Sequence, residues 1–361
     1  MNSEEEFWFW LNTIPGIGRK TIDKLLEQFG SPQKVYETTE KEWKRCLTAS
    51  QLDALVRSRN PGRVREQLKR LSDRNIIFMW QGHPGYPKRL LQLFDAPYGL
   101  YLKGSLPREK QRTIAVVGAR NADDYGRELA FYFSRELAGA GIGVISGLAY
   151  GVDGQAHRGA LEVGGYTLGI LGSGINICYP KENYRLYGKL AQNGGIMSEY
   201  GLDIAPKPGL FPVRNRLIAA MADGILVVQA RKKSGSLITV DQGLELGRDI
   251  FALPGRVGDE LCEGCNQMIQ SGAKLVTKVE DILEEWGEIS DNSPSFQIHS
   301  KNTLVKIEKM VYSVMRLEPK HVDAILEETG LTIAQLIPVL MQLEQQGYIR
   351  QVGQNYFSVA L

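Results

Sequence analysis

Two arginines one residue apart stand at the head of an apolar run. Phe211-Pro-Val-Arg214-Asn215-Arg216 leads into Leu-Ile-Ala-Ala-Met and then a strand-like Gly-Ile-Leu-Val-Val-Gln-Ala. A guanidinium offers its donors in a planar fork that matches paired phosphate oxygens, which an ammonium cannot copy. Two such groups at the door of a core point to a polyanion. They need not share one role: one can hold a carboxylate such as Glu199 while the other faces ligand. Phe211 reads either as a ring for a base to stack on or as an anchor packed under the loop. Tyr179 offers a second ring, and Arg120, Lys181, Lys232 and Lys233 add cations near the ends of other apolar runs.

Small residues close those runs. Gly118 precedes Arg120, Ser146 precedes Gly147, and Gly172-Ser173-Gly174 and Ser234-Gly235-Ser236 follow two more. Glycine lets backbone N–H groups approach an anion, and a helix N-terminus adds partial positive charge. The same glycines also serve plain strand–helix packing. His157 lies in a helix-like stretch beside Asp153 with no nucleophile or metal set nearby, so it reads as a structural hydrogen bonder. Asp153 reads as a cap on that helix's first turn. Cys262-Glu-Gly-Cys265 has the spacing of half a zinc site, but Cys46 and Cys178 stand alone. Structural zinc needs four ligands. There is no G-x-x-x-x-G-K-[ST], no H-E-x-x-H and no G-x-G-x-x-G after a first strand. Neither metal nor cofactor is expected.

The elements that must position these groups begin near residue 112. The runs TIAVV before Gly118, IGVISG (142–147), YTLGILGSG (166–174), GGIMSEY (194–200), GILVVQA (224–230), RDIFALPG (248–255) and GAKLV (272–276) read as strands, most of them separated by helical stretches. Alternation of this kind predicts an α/β fold with a mainly parallel, Rossmann-like sheet, whose ligand sits beyond the carboxyl ends of the strands. Residues 1–80 read as a small helical domain. Gly16-Ile17-Gly18 ahead of an amphipathic helix resembles a helix-hairpin-helix, whose turn can offer amides to a phosphate or merely join helices. Residues 40–74 carry ten Lys/Arg against five Asp/Glu, which reads as a solvated face. The sheet domain is placed at 81–286, a polar linker at 287–301, and a helix, turn, helix and hairpin at 302–361, a winged-helix pattern.

Composition bounds the partner. The 361 residues include 43 basic and 41 acidic side chains, a net charge of +2. Wrapping duplex DNA by charge alone needs a more basic chain. A nucleic-acid site must therefore be local and share its work with stacking. Four cysteines argue against a disulfide scaffold, and the acidic start MNSEEEFWFW is unlike a secretory signal. The sequence reads as cytoplasmic, with no membrane partner.

The ordered set VVGAR, SGLAYGVDGQAH, GSGINICYP, SEY, FPVRNRLIA, SGSLIT, ALPG and GCNQMIQSGAKLV resembles the DNA-processing protein A (DprA/Smf) family over roughly residues 85–285. The resemblance implies an extended Rossmann fold with a helical N-terminal domain and a winged helix. It implies single-stranded DNA binding, a homodimer through the Rossmann domain, and help in loading RecA recombinase during natural transformation or recombination. On this chain the implied DNA contacts are Arg120, the turns at Gly147 and Gly172, Phe211, Arg214, Asn215 and Arg216, and Lys233-Ser234-Gly235-Ser236. Ala219-Ala220-Met221-Ala222 stands where the family has small residues and a serine, and Gln229 where it has a glutamate.

Two other classes compete. A nucleoside-monophosphate hydrolase on a Rossmann fold uses paired glycines and a following acid, which Arg231-Lys-Lys-Ser-Gly-Ser-Leu-Ile-Thr lacks. A duplex-reading regulator needs cations on its recognition helix, yet Leu331–Gly347 has no Lys or Arg. The reading is therefore a non-catalytic single-strand binder whose last domain meets protein or is dispensable.

Overall fold

The computed structural model describes residues 1, 3–287, 306–316 and 318–359. They form two compact units, residues 1–122 with 130–282, and residues 123–129 with 283–361. Of the stretch read as a linker, 288–301 lies outside the described residues.

The first unit opens with six helices: α1 Glu4–Thr13, α2 Arg19–Phe29, α3 Pro32–Glu37, α4 Glu40–Trp43, α5 Ala49–Ser58 and α6 Pro61–Ser72. Ser3, Ser31, Thr48 and Asn60 cap α1, α3, α5 and α6 through side-chain oxygens, which satisfies first-turn amides. Gly16 turns the chain between α1 and α2 at φ 80°, and Gly30 ends α2 at φ 86°. Both are backbone conformations that disfavour any other residue.

A nine-stranded sheet follows. Its strands are β1 Ile76–Trp80, β2 Gly99–Gly104, β3 Thr113–Val117, β4 Gly143–Ser146, β5 Thr167–Leu171, β6 Gly195–Ser198, β7 Gly224–Val227, β8 Asp249–Ala252 and β9 Lys274–Leu275. Their spatial order is β1-β2-β6-β5-β4-β3-β7-β8-β9. From β6 to β9 every pairing is parallel, while β1–β2 and β2–β6 are antiparallel. The seven strands expected from the sequence are all present. The two antiparallel strands are not among them, and β1 moves the start of the sheet from residue 81 to Ile76. Ile-Ile-Phe-Met-Trp is a short continuous apolar run, which periodicity cannot separate from the end of a helix.

Strands β3 to β7 are buried along their whole lengths, as a sheet covered on both faces requires. The covering helices are α7 Asp124–Gly139, α8 Val152–Glu162, α9 Tyr184–Asn193, α10 Leu210–Met221, α11 Ser236–Glu245 and α12 Glu263–Gln270, with α13 Glu280–Glu285 after β9. Strand order reverses between β3 and β7, which opens a crevice at their carboxyl ends.

The second unit is a winged helix. It contains α14 Lys306–Val314, β10 Lys320–His321, α15 Val322–Thr329, α16 Ile333–Gln345, and the hairpin β11 Ile349–Gly353 with β12 Tyr356–Val359. Val311, Ile325, Leu336, Leu340 and Leu343 form its core.

Candidate nucleic-acid interface

A cleft of about 510 Å³ opens at the reversal point. Gly118 and Arg120 come from the end of β3, Tyr179 from the loop after β5, and Phe211, Arg214 and Asn215 from α10. Ser234, Gly235 and Ser236 come from the turn before α11. Helices α10 and α11 both begin here behind glycine N-caps, Gly209 and Gly235, which supply no side-chain oxygen. Their first-turn amides carry the partial positive charge of a helix N-terminus.

One network ties the walls together. The Asp153 carboxylate accepts from the Gly147 N–H at 3.1 Å and the Ala149 N–H at 3.4 Å. The Gly147 carbonyl accepts from Arg214 Nη1 at 2.7 Å, and the Ile170 carbonyl accepts from the same nitrogen. Arg214 Nε donates to Asn215 Oδ1 at 3.2 Å, and Asn215 Nδ2 donates to the Gly235 carbonyl at 3.2 Å. Arg214 Nη2 makes no hydrogen bond among the described residues. Burial lowers the Arg214 pKa to about 10 against the pull of Asp153, so the group stays charged at neutral pH. Burial also raises the Asp153 pKa, opposed by Arg214 and by the two loop amides. Asp153 is thus a brace for the loop after β4 rather than the cap expected for α8, whose N-cap is Gly151.

Arg216 does not face the cleft. Its Nε donates to Asp95 at 2.8 Å and its Nη2 to both Glu199 oxygens, at 2.8 and 3.0 Å. This corrects the expectation that both arginines grip ligand, and it matches the division of labour in which one holds Glu199. The cause is geometric: residues two apart on a helix point about 200° away from each other.

Several of the small residues also work inside the framework. Ser146 Oγ donates to the Val116 carbonyl and Ser173 Oγ to the Ile177 carbonyl, both hydroxyls buried. The Gly174 N–H donates to the Ile204 carbonyl. A Cβ on Gly147 would come within 2.4 Å of the Arg214 guanidinium, and one on Gly172 within 2.8 Å of the Phe211 ring. None of these five residues lines the cleft, and they belong to the framework behind its walls.

Arg120, Lys181, Lys232 and Lys233 are all exposed, and of these four Arg120 lines the cleft. Arg120 lies over the Phe211 ring, 5.0 Å from its centroid, and Tyr179 lies 5.6 Å from the same ring at 32°. Phe211 is half-buried and serves as the platform for Arg120, while Tyr179, 43% exposed, is the freer ring. Lys232 is drawn to Glu263 at 3.7 Å. Sequence reasoning passed over two exposed rings, Tyr150 on the loop after β4, whose hydroxyl donates to Glu182 at 2.6 Å, and Tyr184 at the start of α9. It also missed Pro206 and Pro208, which line the cleft with the exposed Lys207 between them. The signal available was position: Tyr150 follows the β4 turn directly, and Tyr184 follows the loop that carries Tyr179.

His157 is fully buried, its Nδ1 2.7 Å from Thr167 Oγ1. Burial first, then Arg158 and Arg214, push its pKa down to about 3. It is a neutral structural group. Cys262 and Cys265 are buried free thiols, and among the described residues no group of three or more His, Cys, Asp or Glu could hold a metal ion. In the N-terminal hairpin, Arg19 lies 5.1 Å over the Tyr98 ring and donates to the Ala96 carbonyl, so it is turned inward.

Comparison with known proteins follows this geometry. The family model described as DNA recombination-mediator protein A matches residues 77–287, and that of the DprA winged helix domain matches residues 299–355. The protein Smf of Escherichia coli (strain K12) is 36% identical over 278 residues, covering 75% of this chain and 74% of that protein. The X-ray structure of DNA processing protein A from Streptococcus pneumoniae is 33% identical, with a TM-score of 0.62 over 78% of this chain and 98% of the other. A structure of DNA processing protein A from Helicobacter pylori, described for its single-stranded DNA binding mode, is 29% identical. It aligns with a TM-score of 0.53 over 59% of this chain and 96% of that one. Matched along more than half its length by the first family model and along its last domain by the second, the chain belongs to the DNA recombination-mediator protein A (DprA/Smf) family.

Proposed function

We propose that the cleft binds single-stranded DNA without cutting it, and that the protein delivers the strand to RecA recombinase. The observation that carries this reading is the arrangement of Arg120, Tyr179 and Phe211 over a cleft whose floor is the buried charge of Arg214. Cation and rings side by side suit a phosphate backbone with unpaired bases, since stacking accepts any sequence. The Helicobacter pylori relative, named for its single-strand binding mode, supports the same ligand. The contacts we assign are Arg120, Tyr179, Lys181, Phe211, Asn215, Lys233, the amides of Ser234, Gly235 and Ser236 beside Gly118, and the field of Arg214.

The cleft's one lining carboxylate, Asp153, is committed to loop amides, which favours binding over hydrolysis. We further propose a cytoplasmic homodimer joined through the sheet-containing unit, so that two clefts share one strand and gain effective concentration. Among the described residues no single helix is long and apolar enough to cross a membrane.

Fluorescence anisotropy with single- and double-stranded oligonucleotides across salt, beside a mass measurement of the complex, tests the reading. Arg120→Ala should weaken all single-stranded sequences alike and flatten the salt slope by about 0.7. Strongly sequence-dependent loss refutes the clamp. Release of adenine from AMP refutes the non-catalytic reading and favours a nucleotide hydrolase.

A further inference from the structure

Two further hollows share no lining residue with the cleft. One, of about 340 Å³, lies between α1, α6 and the segment Glu199–Ile204. The other, of about 350 Å³, lies between α1, α5 and α6. Thr13, Ile14, Pro15, Arg63 and Gln67 line both, so the two run together as one groove across α6. Its floor is apolar: Phe9, Leu71 and Tyr101 are buried under the first hollow and Val64 under the second. Its rim is basic, with Arg57, Arg63 and Arg70. Part of the cation excess of residues 40–74, which reads from sequence as a solvated face, therefore gathers on this rim. Arg57 pairs with Asp53 at 2.9 Å and Arg70 with Asp203 at 2.7 Å, both in exposed pairs of the kind that contribute little. Arg63 is exposed, and neither its guanidinium nor the Gln67 amide has a partner among the described residues.

We propose that this groove docks an extended acidic peptide of a partner protein. A large apolar side chain fills the hollow over Tyr101, and a flanking Asp or Glu meets Arg63. Three features select that occupant. Joined hollows suit an extended chain, which presents side chains at regular intervals. The lining is mixed: Asp53 and Glu199 stand in it beside the Thr13 and Ser50 hydroxyls. A peptide backbone brings N–H donors to such groups, whereas phosphodiesters bring none and are repelled by the carboxylates. The charge left free is a guanidinium, whose complement is a carboxylate. The groove also adjoins the loop that carries Tyr179. The Gly174 N–H donates to the Ile204 carbonyl, the Ile175 N–H to the Tyr200 carbonyl, and the Asn176 amide to Asp203. A docked partner is thus held beside the cleft without entering it. The inference holds whatever the cleft binds.

A library of short random peptides displayed on phage, panned on the full chain with excess single-stranded oligonucleotide present, tests this. Enriched sequences should join a large apolar residue to Asp or Glu. No enrichment, or enrichment of peptides without acidic residues, overturns the proposal. The best sequence, synthesised with a fluorophore, is then titrated by anisotropy. Arg63→Glu and the near-isosteric Gln67→Glu should each weaken it by about tenfold or more, while Arg63→Lys should keep most of the affinity. Both positions are open to solvent, so the variants should melt with the parent and bind oligonucleotide as it does. Unchanged peptide affinity in both Glu variants refutes the site. Displacement of the peptide by oligonucleotide shows that the groove takes nucleic acid, and refutes the occupant.

Discussion

Replacing Arg216 should cost stability rather than affinity. Arg216 is 7% exposed and holds two carboxylates from distant parts of the chain, Asp95 and Glu199. In Arg216→Met the volume is kept and the counter-charge is lost. Removing one partner of a buried pair costs about 3–5 kcal/mol. The Asp95 side chain is 47% exposed and can turn to water, so the lower end applies, about 3 kcal/mol. At about 2–4 °C per kcal/mol for a unit of this size, the melting point should fall by about 6–12 °C at pH 7. The deficit should shrink in acid. Burial already raises the Glu199 pKa, and losing Arg216 raises it further. A carboxyl raised in the fold costs stability above its folded pKa, and the cost fades as pH falls through that value. Melting the parent and the variant in parallel at pH 7 and pH 5 reads the difference. Single-strand affinity, measured well below the melting point, should stay within about threefold of the parent. A tenfold loss of affinity with an unchanged melting point would show that Arg216 touches ligand and that this assignment is wrong.

Other substitutions separate the roles of neighbouring residues. Tyr179→Ala should weaken single-strand binding by roughly 10- to 100-fold and Tyr179→Phe hardly at all, because the contact is a stacked ring face; equal losses would implicate the hydroxyl. Gly147→Ala drives a Cβ to 2.4 Å from the Arg214 guanidinium, so anisotropy should show a loss of about tenfold, while Gly209→Ala, with open space around it, should be silent. His157, with its pKa near 3, favours the fold above its ordinary value of 6.5 and loses that contribution as pH falls below it. Between pH 6.5 and pH 5 the loss is about 2 kcal/mol, and denaturant titration of His157→Gln should show that slope removed.

The sheet was legible where physics leaves a one-dimensional trace. A buried parallel strand is an apolar run ended by glycine, and Thr113–Val117 before Gly118 is such a run. Strands β1 and β2 left weaker traces, because one follows a helix after only a short turn and the other lies among prolines and polar residues. The site was legible as a location. Gly118 and Arg120 after β3, Arg214 on α10 and the Ser234-Gly235-Ser236 turn line one cleft, while Gly147, Gly172, Gly174, Lys181 and Lys233 stand outside its lining. Depth was not legible. Whether a glycine cradles an anion or makes room for a guanidinium depends on what arrives from a distant segment, as Arg214 does at Gly147. The helical phase of Arg214 and Arg216 was available, and it alone rules out a shared direction for the two side chains.

The helices that open the chain do not form a core of their own. Phe9, Trp10, Leu25 and Trp43 belong to the same buried cluster as Phe78 and Tyr101 of the antiparallel strands and Leu171 and Ile196 of the parallel ones. The opening segment is therefore masonry and not a detachable cassette. Recombination of gene segments at the point where the helices give way to strands would strip the sheet of part of its lining, and the fragment downstream would be left with a wet flank on β1 and β2, where the helices had covered Phe78 and Tyr101.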